Sequence, residues 1–467
     1  MPVAPYQPDL FEKCKEIYQF LSGCQRAAGQ SQHSKLANIS FRLPAIAPWR
    51  ILAALGHTEQ VQFYYDHVAQ QRSVVGLDAA IAYQAAGASR FARIQQFIQV
   101  WRKRVLYATQ PPSATLRFFC GFTFFATTTD KAFAPAQVFV PRLQVATEAD
   151  RSIVSFNCLI DDAVNVARVA EEIGQQLQQL KDLAEQPPAA IADAERVCKV
   201  VKDIGDFEQV VSTALAVIRR QAVHKVVLAE PMEVLSATPF NLPASLRALR
   251  QSHPDCHIFC VSNGQGQSFM GASPERLLSI AQRELVTDAL AGSASRGSSA
   301  AVDRRLAQQL QQSRKERYEH RVVVEFIVQQ LRSLGLTPQF SHQPQLLQLL
   351  NIQHLHTPIR ARLHPETEAL EILEQLHPTP AVAGLPGTEA QQLIQQLESF
   401  ERGLYAAPIG WIDAAGNSEF IVGIRSALIQ GRQARLYAGA GIVAGSDPRR
   451  ELAEIRLKLQ PLLGALV

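Results

Sequence analysis

Two pairs of glutamates spaced three apart are the residues here whose types and spacing could do chemistry: Glu316 and Glu319 in Arg314-Lys-Glu-Arg-Tyr-Glu-His-Arg321, and Glu451 and Glu454 near the end of the chain. Positions i and i+3 of a helix share a face, so each pair presents two carboxylates side by side. Four carboxylates brought together repel one another unless a divalent cation binds, and hard oxygen ligands with retained waters are what Mg²⁺ prefers. A Glu-x-x-Glu read alone is a solvated helix face, and spacing does not establish that the two pairs meet.

The second pair belongs to a stretch that runs from Tyr437-Ala-Gly-Ala-Gly-Ile to Lys458. Asp447 suits an N-cap and Pro448 the first helical turn, so a glycine-rich strand end is expected to run straight into a helix. On that helix Leu452, Ile455, Leu459 and Leu462 form one narrow apolar stripe, with Glu451, Glu454 and Lys458 beside it. Gly439, Gly441 and Gly445 let backbone amides approach a ligand where a side chain would block it. Together these features describe an anion-and-metal arrangement; the plain alternative is a capped amphipathic helix with a charged edge.

Three further residues are placed oddly. Glu275 follows the turn in Gly271-Ala-Ser-Pro-Glu-Arg276 and precedes an apolar strand. Burial at such a sheet mouth raises a carboxyl's affinity for its proton, which suits a proton donor, whereas an ion pair with Arg276 would make it a turn carboxylate. Lys225 opens the apolar strand Lys225-Val-Val-Leu-Ala229 on the face of Val227 and Ala229. Burial there favours the neutral amine that a general base needs, and snorkelling past the strand end is the alternative. Arg425 in Val422-Gly-Ile-Arg-Ser426 reads as a strand arginine, to be paired with a carboxylate of the protein or of a ligand.

Periodicity supplies the elements that must hold these groups. Helices are expected around Leu10 to Leu21, Arg90 to Arg104, Val164 to Leu183 and Phe207 to Arg220, with one helical block from Val302 to Leu334. Strands are expected at Ile39–Leu43, Phe63–His67, Ser73–Leu77, Phe118–Phe125, Val138–Leu143, Ser152–Asn157, Glu284–Leu290, Gly410–Ile412, Phe420–Ile424 and Ala434–Tyr437. A hairpin is expected from Ile258–Ser262 through Asn263-Gly-Gln-Gly266 to Ser268–Ala272. Gln186-Pro-Pro-Ala-Ala190 is the expected linker. The glutamine pairs at 308–312 and 391–396 read as helix surface. Strands with only occasional helices indicate antiparallel sheets in an α+β fold.

The chain has 467 residues, 47% hydrophobic and 19% charged, with a formal net charge of +4. That suits a soluble globular protein of one large domain or two, and no dense Lys/Arg run implies nucleic acid or a membrane surface. Seven scattered cysteines, including Cys198, are expected as reduced thiols in a cytoplasmic protein. Met1-Pro-Val-Ala-Pro-Tyr6 lacks the pattern of a signal peptide, and no apolar run approaches a membrane span.

At these residues the chain resembles the chorismate-utilising family, which includes isochorismate synthases, salicylate synthases, and the large components of anthranilate and aminodeoxychorismate synthases. The resemblance is clear from about Phe207 to Leu463 and weaker before it. It rests on ordered motifs: His224-Lys-Val-Val-Leu-Ala229, Gly271-Ala-Ser-Pro-Glu-Arg276, Ala289-Leu-Ala-Gly-Ser293 with Arg296-Gly297, Lys315-Glu-Arg-Tyr-Glu-His320, Gln353-His-Leu355, His377-Pro-Thr-Pro-Ala381, Arg402-Gly-Leu-Tyr405, Ile424-Arg425, and Gly439-Ala-Gly-Ile442 with Glu451-x-x-Glu454.

The resemblance implies a two-lobed fold of large twisted antiparallel sheets packed face to face, helices outside and the site between the lobes. Residues 1–190 would be the variable N-terminal part and 191–467 the chorismate-binding region, forming one compact unit. Glu319 and Glu454 look like direct Mg²⁺ ligands, with Glu316 and Glu451 on metal-bound waters, and the metal would meet the ring carboxylate of chorismate. Tyr405 and Arg425 resemble the residues that grip the enolpyruvyl carboxylate, near Lys458 and the Gly439–Gly441 backbone; Ser293 and His354 look like further substrate contacts.

By the same resemblance, members that add ammonia carry an amide at position 225 and those that add water carry lysine. Lys225 would then deprotonate water for attack at ring carbon 2 while Glu275 protonates the departing carbon 4 hydroxyl, giving isochorismate. Ala291 stands where aminodeoxychorismate synthases have a nucleophilic lysine. Lyase members tend to carry threonine in place of Ala381 and leucine in place of Ile424, which favours an isochorismate synthase over a salicylate synthase that expels pyruvate. Glu230 departs from the family's arginine, and strand alternation puts it on the face opposite Lys225. The expectation is a monomeric Mg²⁺-dependent isomerase acting on chorismate, the alternatives being a salicylate synthase or an inactive homologue serving as a binding subunit.

Overall fold

The computed structural model describes residues 8–108, 116–187, 199–203 and 206–466. Residues 188–190 of the expected linker, Cys198 and the Met1–Tyr6 segment lie outside them. The N-terminal half contributes helices α1 (Pro8–Ser31), α2 (Pro48–Leu55), α3 (Arg90–Arg102) and α4 (Val166–Glu185). Its strands are β1 (Lys35–Pro44), β2 (Val61–His67), β3 (Arg72–Ala85), β4 (Val105–Tyr107), β5 (Arg117–Phe122), β6 (Ala136–Glu148) and β7 (Arg151–Ile160). Then follow β8 (Lys199–Asp203), α5 (Phe207–Arg219), β9 (Lys225–Ser236), α6 (Leu242–Ser252), β10 (His257–Asn263), β11 (Gln267–Ser273), β12 (Arg276–Ala281) and β13 (Glu284–Ser295). Helices α7 (Ala300–Gln312) and α8 (Arg314–Ser333) precede β14 (Gln339–Phe340), β15 (Gln345–Gln348), β16 (Ile352–Arg362), α9 (Ala369–Leu376), β17 (Gly384–Leu385) and α10 (Gly387–Leu397). The chain closes with β18 (Pro408–Asp413), β19 (Ser418–Val422), β20 (Ser426–Gln430), β21 (Gln433–Val443) and α11 (Pro448–Ala465).

The strands form two sheets that share β6. Its first residues, 136–139, pair with β5, and its last, 143–148, pair with β7, while β3 follows it along both halves. From that fork one sheet runs β4-β1-β7-β6-β3-β2-β10-β11-β20-β21-β9, with β17 and β8 on the far edge of β9. The other runs β6-β5-β18-β19-β12-β13-β16, with β14 and β15 against β16. Every described pairing except β1 with β4 is antiparallel. The inner faces pack on each other: Phe63 of β2 stacks on Phe119 of β5 at 4.3 Å, and the Tyr65 hydroxyl of β2 donates to Glu419 of β19. A fork of this kind closes both sheets over one core, which accounts for the α+β architecture with helices outside.

Local chemistry accounts for most boundaries. The expected hairpin forms as β10 and β11. The glutamine pairs fall on α7 and α10. The single helical block expected over 302–334 is two helices, because Ser313 turns extended and its hydroxyl accepts the Glu316 N–H, capping α8. The strand expected through Phe125 stops at Phe122. Helices α2, α6, α9 and α10 were not read from the sequence; most are short. The stripe on α11 is as expected, with Ile455, Leu459 and Leu462 buried, and Asp447 accepts the Arg450 N–H as its N-cap. No described helix is long and apolar enough to cross a membrane.

Candidate active site

The two acid pairs ride on helices that back different sheets. Helix α8 lies on β13 and β16, α11 lies on β21, and the facing sides of the two helices close one pocket. Its wall includes Glu316, Glu319, Glu451 and Glu454, so two Glu-x-x-Glu motifs 135 residues apart in the chain share a cavity. Glu275, Ser293, His354, Ala381, Tyr405, Arg425, Gly439, Gly441 and Lys458 line it too. Lys225 reaches it through Glu319: its amine lies 2.7 Å from Glu319 Oε1 and the lysine is 4% exposed. The residues singled out in the sequence therefore converge.

Several details differ from expectation. Gly439 and Gly441 lie inside β21, which continues to Val443. Their amides are still available. Opposite them on β9, Val227 sends its N–H to Ala383 and Ala229 sends its N–H to Glu398, so both partners turn away from β21. In an antiparallel ladder such non-bonded pairs direct their polar groups outward on both strands. Gly439 and Gly441 thus point their N–H and C=O groups to the pocket edge beyond the end of β20, and Lys458 already donates to Gly439 O at 2.8 Å. A Cβ on Gly439 would stand 2.7 Å from the Tyr405 hydroxyl, so the glycine also makes room for that phenol.

Arg425 is not in a strand. It sits between β19 and β20 with φ of 52°, a left-handed position that an arginine adopts only when its surroundings hold it there. Its Nη2 lies 3.3 Å from His354 Nε2, while His354 Nδ1 lies 2.9 Å from the Ser293 hydroxyl. Burial first, then the Arg425 charge, pushes the His354 imidazole well below its usual range. Neutral His354 can then accept from Arg425 and donate to Ser293. Ser293 follows a bulge in β13 at Gly292, φ 77°, which turns the Ser293 N–H onto Glu316 at 3.1 Å.

Glu275 does not pair with Arg276, which turns to Asp288 at 2.9 Å; His356 holds the other Asp288 oxygen. Burial, with Asp288 nearby, raises Glu275 to about 8, and Lys225 partly opposes that rise. At neutral pH this side chain is a carboxylic acid and can donate a proton.

Glu451 is buried instead of lying on a solvated rim. Burial and neighbouring acids raise both Glu316 and Glu451, whereas at Glu454 burial is outweighed by Lys458, whose amine lies 2.6 Å away, so that carboxyl is held low. Four oxygen-donor side chains whose charges repel across one pocket fit a hard divalent cation. Among the described residues they are not drawn into a close cluster of three or more, since Lys225 holds Glu319 and Lys458 holds Glu454.

Sequence reasoning missed Tyr437, which stacks on Tyr405 at 5.2 Å, and Lys315, 3.8 Å from Glu451 at the pocket mouth. It also gave no role to Arg402. Glu230 lies in a separate cleft with α5 and α11, away from Lys225.

Comparison with known proteins agrees with this geometry. The family model described as chorismate binding enzyme matches residues 19–467. The salicylate biosynthesis isochorismate synthase of Pseudomonas aeruginosa is 33% identical, over 95% of this chain and 93% of that one. Isochorismate synthase MenF of Bacillus subtilis is 34% identical over 72% of this chain and 70% of its own. The solved structure of MenF, the menaquinone-specific isochorismate synthase from Escherichia coli, superposes with a TM-score of 0.76 at 27% identity, covering 96% of this chain and all of that one. With a pocket of this composition, and a family match that spans both sheets and both acid-bearing helices, the chain belongs to the chorismate-binding enzyme family.

Proposed function

We propose that this protein is an isochorismate synthase, converting chorismate to isochorismate by adding water at ring carbon 2 and releasing the carbon 4 hydroxyl. The observation that carries the reading is a buried Glu275, its carboxyl raised to about 8 by that burial, opening into the same pocket as Glu319, which holds the Lys225 amine. Lys225 takes a proton from the attacking water, and Glu275 gives its proton to the departing hydroxyl. One water enters, one leaves, and no covalent intermediate is needed.

The remaining residues hold the substrate. Tyr405 and Arg425 grip the enolpyruvyl carboxylate, the Gly439 and Gly441 amides and Lys458 add donors beside it, and Ser293 and His354 contact the ring. Glu319 and Glu454 would hold a Mg²⁺ ion, with Glu316 and Glu451 on its waters, and the ion would supply positive charge to the ring carboxylate. Ala381 and Ile424 both line the pocket, at positions where the lyase members that this chain resembles tend to carry threonine and leucine, which supports stopping at isochorismate over expelling pyruvate.

Incubation with chorismate and Mg²⁺ should give isochorismate and no pyruvate; pyruvate appearing without an added lyase would make the protein a salicylate synthase. EDTA should abolish turnover and Mg²⁺ restore it. Added Mg²⁺ should also raise the melting temperature of the parent and not of Glu319→Gln. Gly439→Ala, which crowds the Tyr405 hydroxyl, should raise KM for chorismate by about tenfold, the equivalent of one hydrogen bond displaced. An unchanged KM in that variant would take Tyr405 out of the substrate contacts.

A further inference from the structure

Arg402 is 1% exposed, and its guanidinium makes contacts that reach the pocket from three directions. Nε and Nη2 bond both oxygens of Glu398, at 2.8 and 2.6 Å. Nη2 also donates to Val227 O at 2.7 Å, and Nη1 to Val382 O at 2.9 Å. Its plane lies over Phe124, 4.4 Å from the ring centroid, with the Tyr405 ring at 5.7 Å. Glu398 in turn accepts the Ala229 N–H at 2.9 Å.

Val227 and Val382 line the pocket, Lys225 lies two residues before Val227 on β9, and Ala381 adjoins Val382. The segment from Ala381 to Val382 is a turn that leads into β17; Ala383 accepts the Val227 N–H at 2.8 Å and Gly384 and Leu385 pair with Val226 and Lys225, so this guanidinium is a second tie that fixes the turn to β9 from the residue before that pairing begins. An arginine presents five donors in a rigid fork, which a lysine's point-like ammonium cannot reproduce.

We propose that the Arg402–Glu398 pair is the positioning element of this site, one guanidinium fixing β9 and the Ala381–Val382 turn in a single relative placement. This rests on the function proposed above. Of the groups assigned to the substrate's carboxylates, Tyr405 meets the guanidinium only ring to cation at 5.7 Å, and the charged ones, Arg425 and Lys458, make no contact with the pair. Its loss therefore displaces the base and the wall facing it more than the anchoring charges, and it acts on turnover more than on binding.

The test measures kcat and KM for chorismate, near-ultraviolet circular dichroism and thermal melting for the parent, Arg402→Lys and Glu398→Gln. The glutamine keeps the volume and one acceptor, so it preserves the fold where lysine fails to. The expected result is native-like spectra with kcat reduced roughly 100-fold in Arg402→Lys and about tenfold in Glu398→Gln, KM staying within about threefold in both. Folded variants within about threefold of the parent's kcat, or a loss carried by KM, would overturn the positioning role while leaving the function standing. Failure of both variants to fold would make the pair structural and also overturn it. A parent that leaves chorismate unchanged would overturn the function, and this proposal with it.

Discussion

Replacing Lys225 by arginine should leave a folded protein whose turnover of chorismate falls by roughly 10³-fold, within the range a lost general base produces. Arginine keeps the positive charge beside Glu319 and a comparable stem, but it stays protonated and cannot take a proton from water. That separates two roles the geometry assigns to one side chain. As a cation, Lys225 neutralises a largely buried carboxylate, and removing it by Lys225→Ala leaves Glu319 without a partner at a cost of up to about 3–5 kcal/mol for a fully buried pair. The cost is smaller here because Glu319 faces the pocket and can be hydrated. As a base, Lys225 takes the proton of the attacking water, a role that arginine cannot fill. Near-parental turnover in Lys225→Arg, measured as isochorismate formed, would assign the lysine to charge balance alone and remove the base from the mechanism.

Much of this site was legible in the sequence because its parts are local. Asp447, Pro448 and the apolar stripe of α11 define a helix from neighbouring residues alone, and the acid spacing then defines a face. The β10–β11 hairpin is written in its turn residues in the same way. What stayed illegible depends on which surfaces meet. The fork at β6 requires one strand to change partners midway; Pro141 marks an interruption there, but it does not say which strands pair with the residues on either side. Arg425 reads as a strand residue because Phe420-Ile-Val-Gly-Ile424 looks continuous, yet Gly423 bonds Ala407 and the chain turns left-handed two residues later. Glu451 looks like a solvated edge until α11 closes against the pocket. Arg402 was visible in its motif but silent about its role, since its four hydrogen bonds go to Glu398 and to two backbone carbonyls that no sequence pattern marks.

Glu275→Gln should lower turnover by a comparable factor, roughly 10²- to 10⁴-fold, and should also change how both activity and stability depend on pH. Glutamine keeps the shape but has no acidic proton to give. In the parent, Glu275 holds its proton up to about 8, so kcat should fall about tenfold per pH unit above that value, and the variant's residual rate should lack this limb. The stability effect has a definite sign. Between its ordinary value of 4.5 and about 8 the folded state keeps a proton that the unfolded chain has released. Unfolding free energy therefore declines as pH rises across that window, by about 1.4 kcal/mol per unit from this group, the contribution being whole below 4.5 and gone above about 8. Glu275→Gln removes that slope, so at pH 9 the less active variant should melt at least about 2 °C above the parent. A proton donor of this kind is held ready by a cavity that resists its anion, so the burial that makes Glu275 useful near neutral pH also destabilises the fold in alkali. A variant that melts no higher than the parent at pH 9 would mean that Glu275 carries its charge without difficulty, and it would then have no proton to supply.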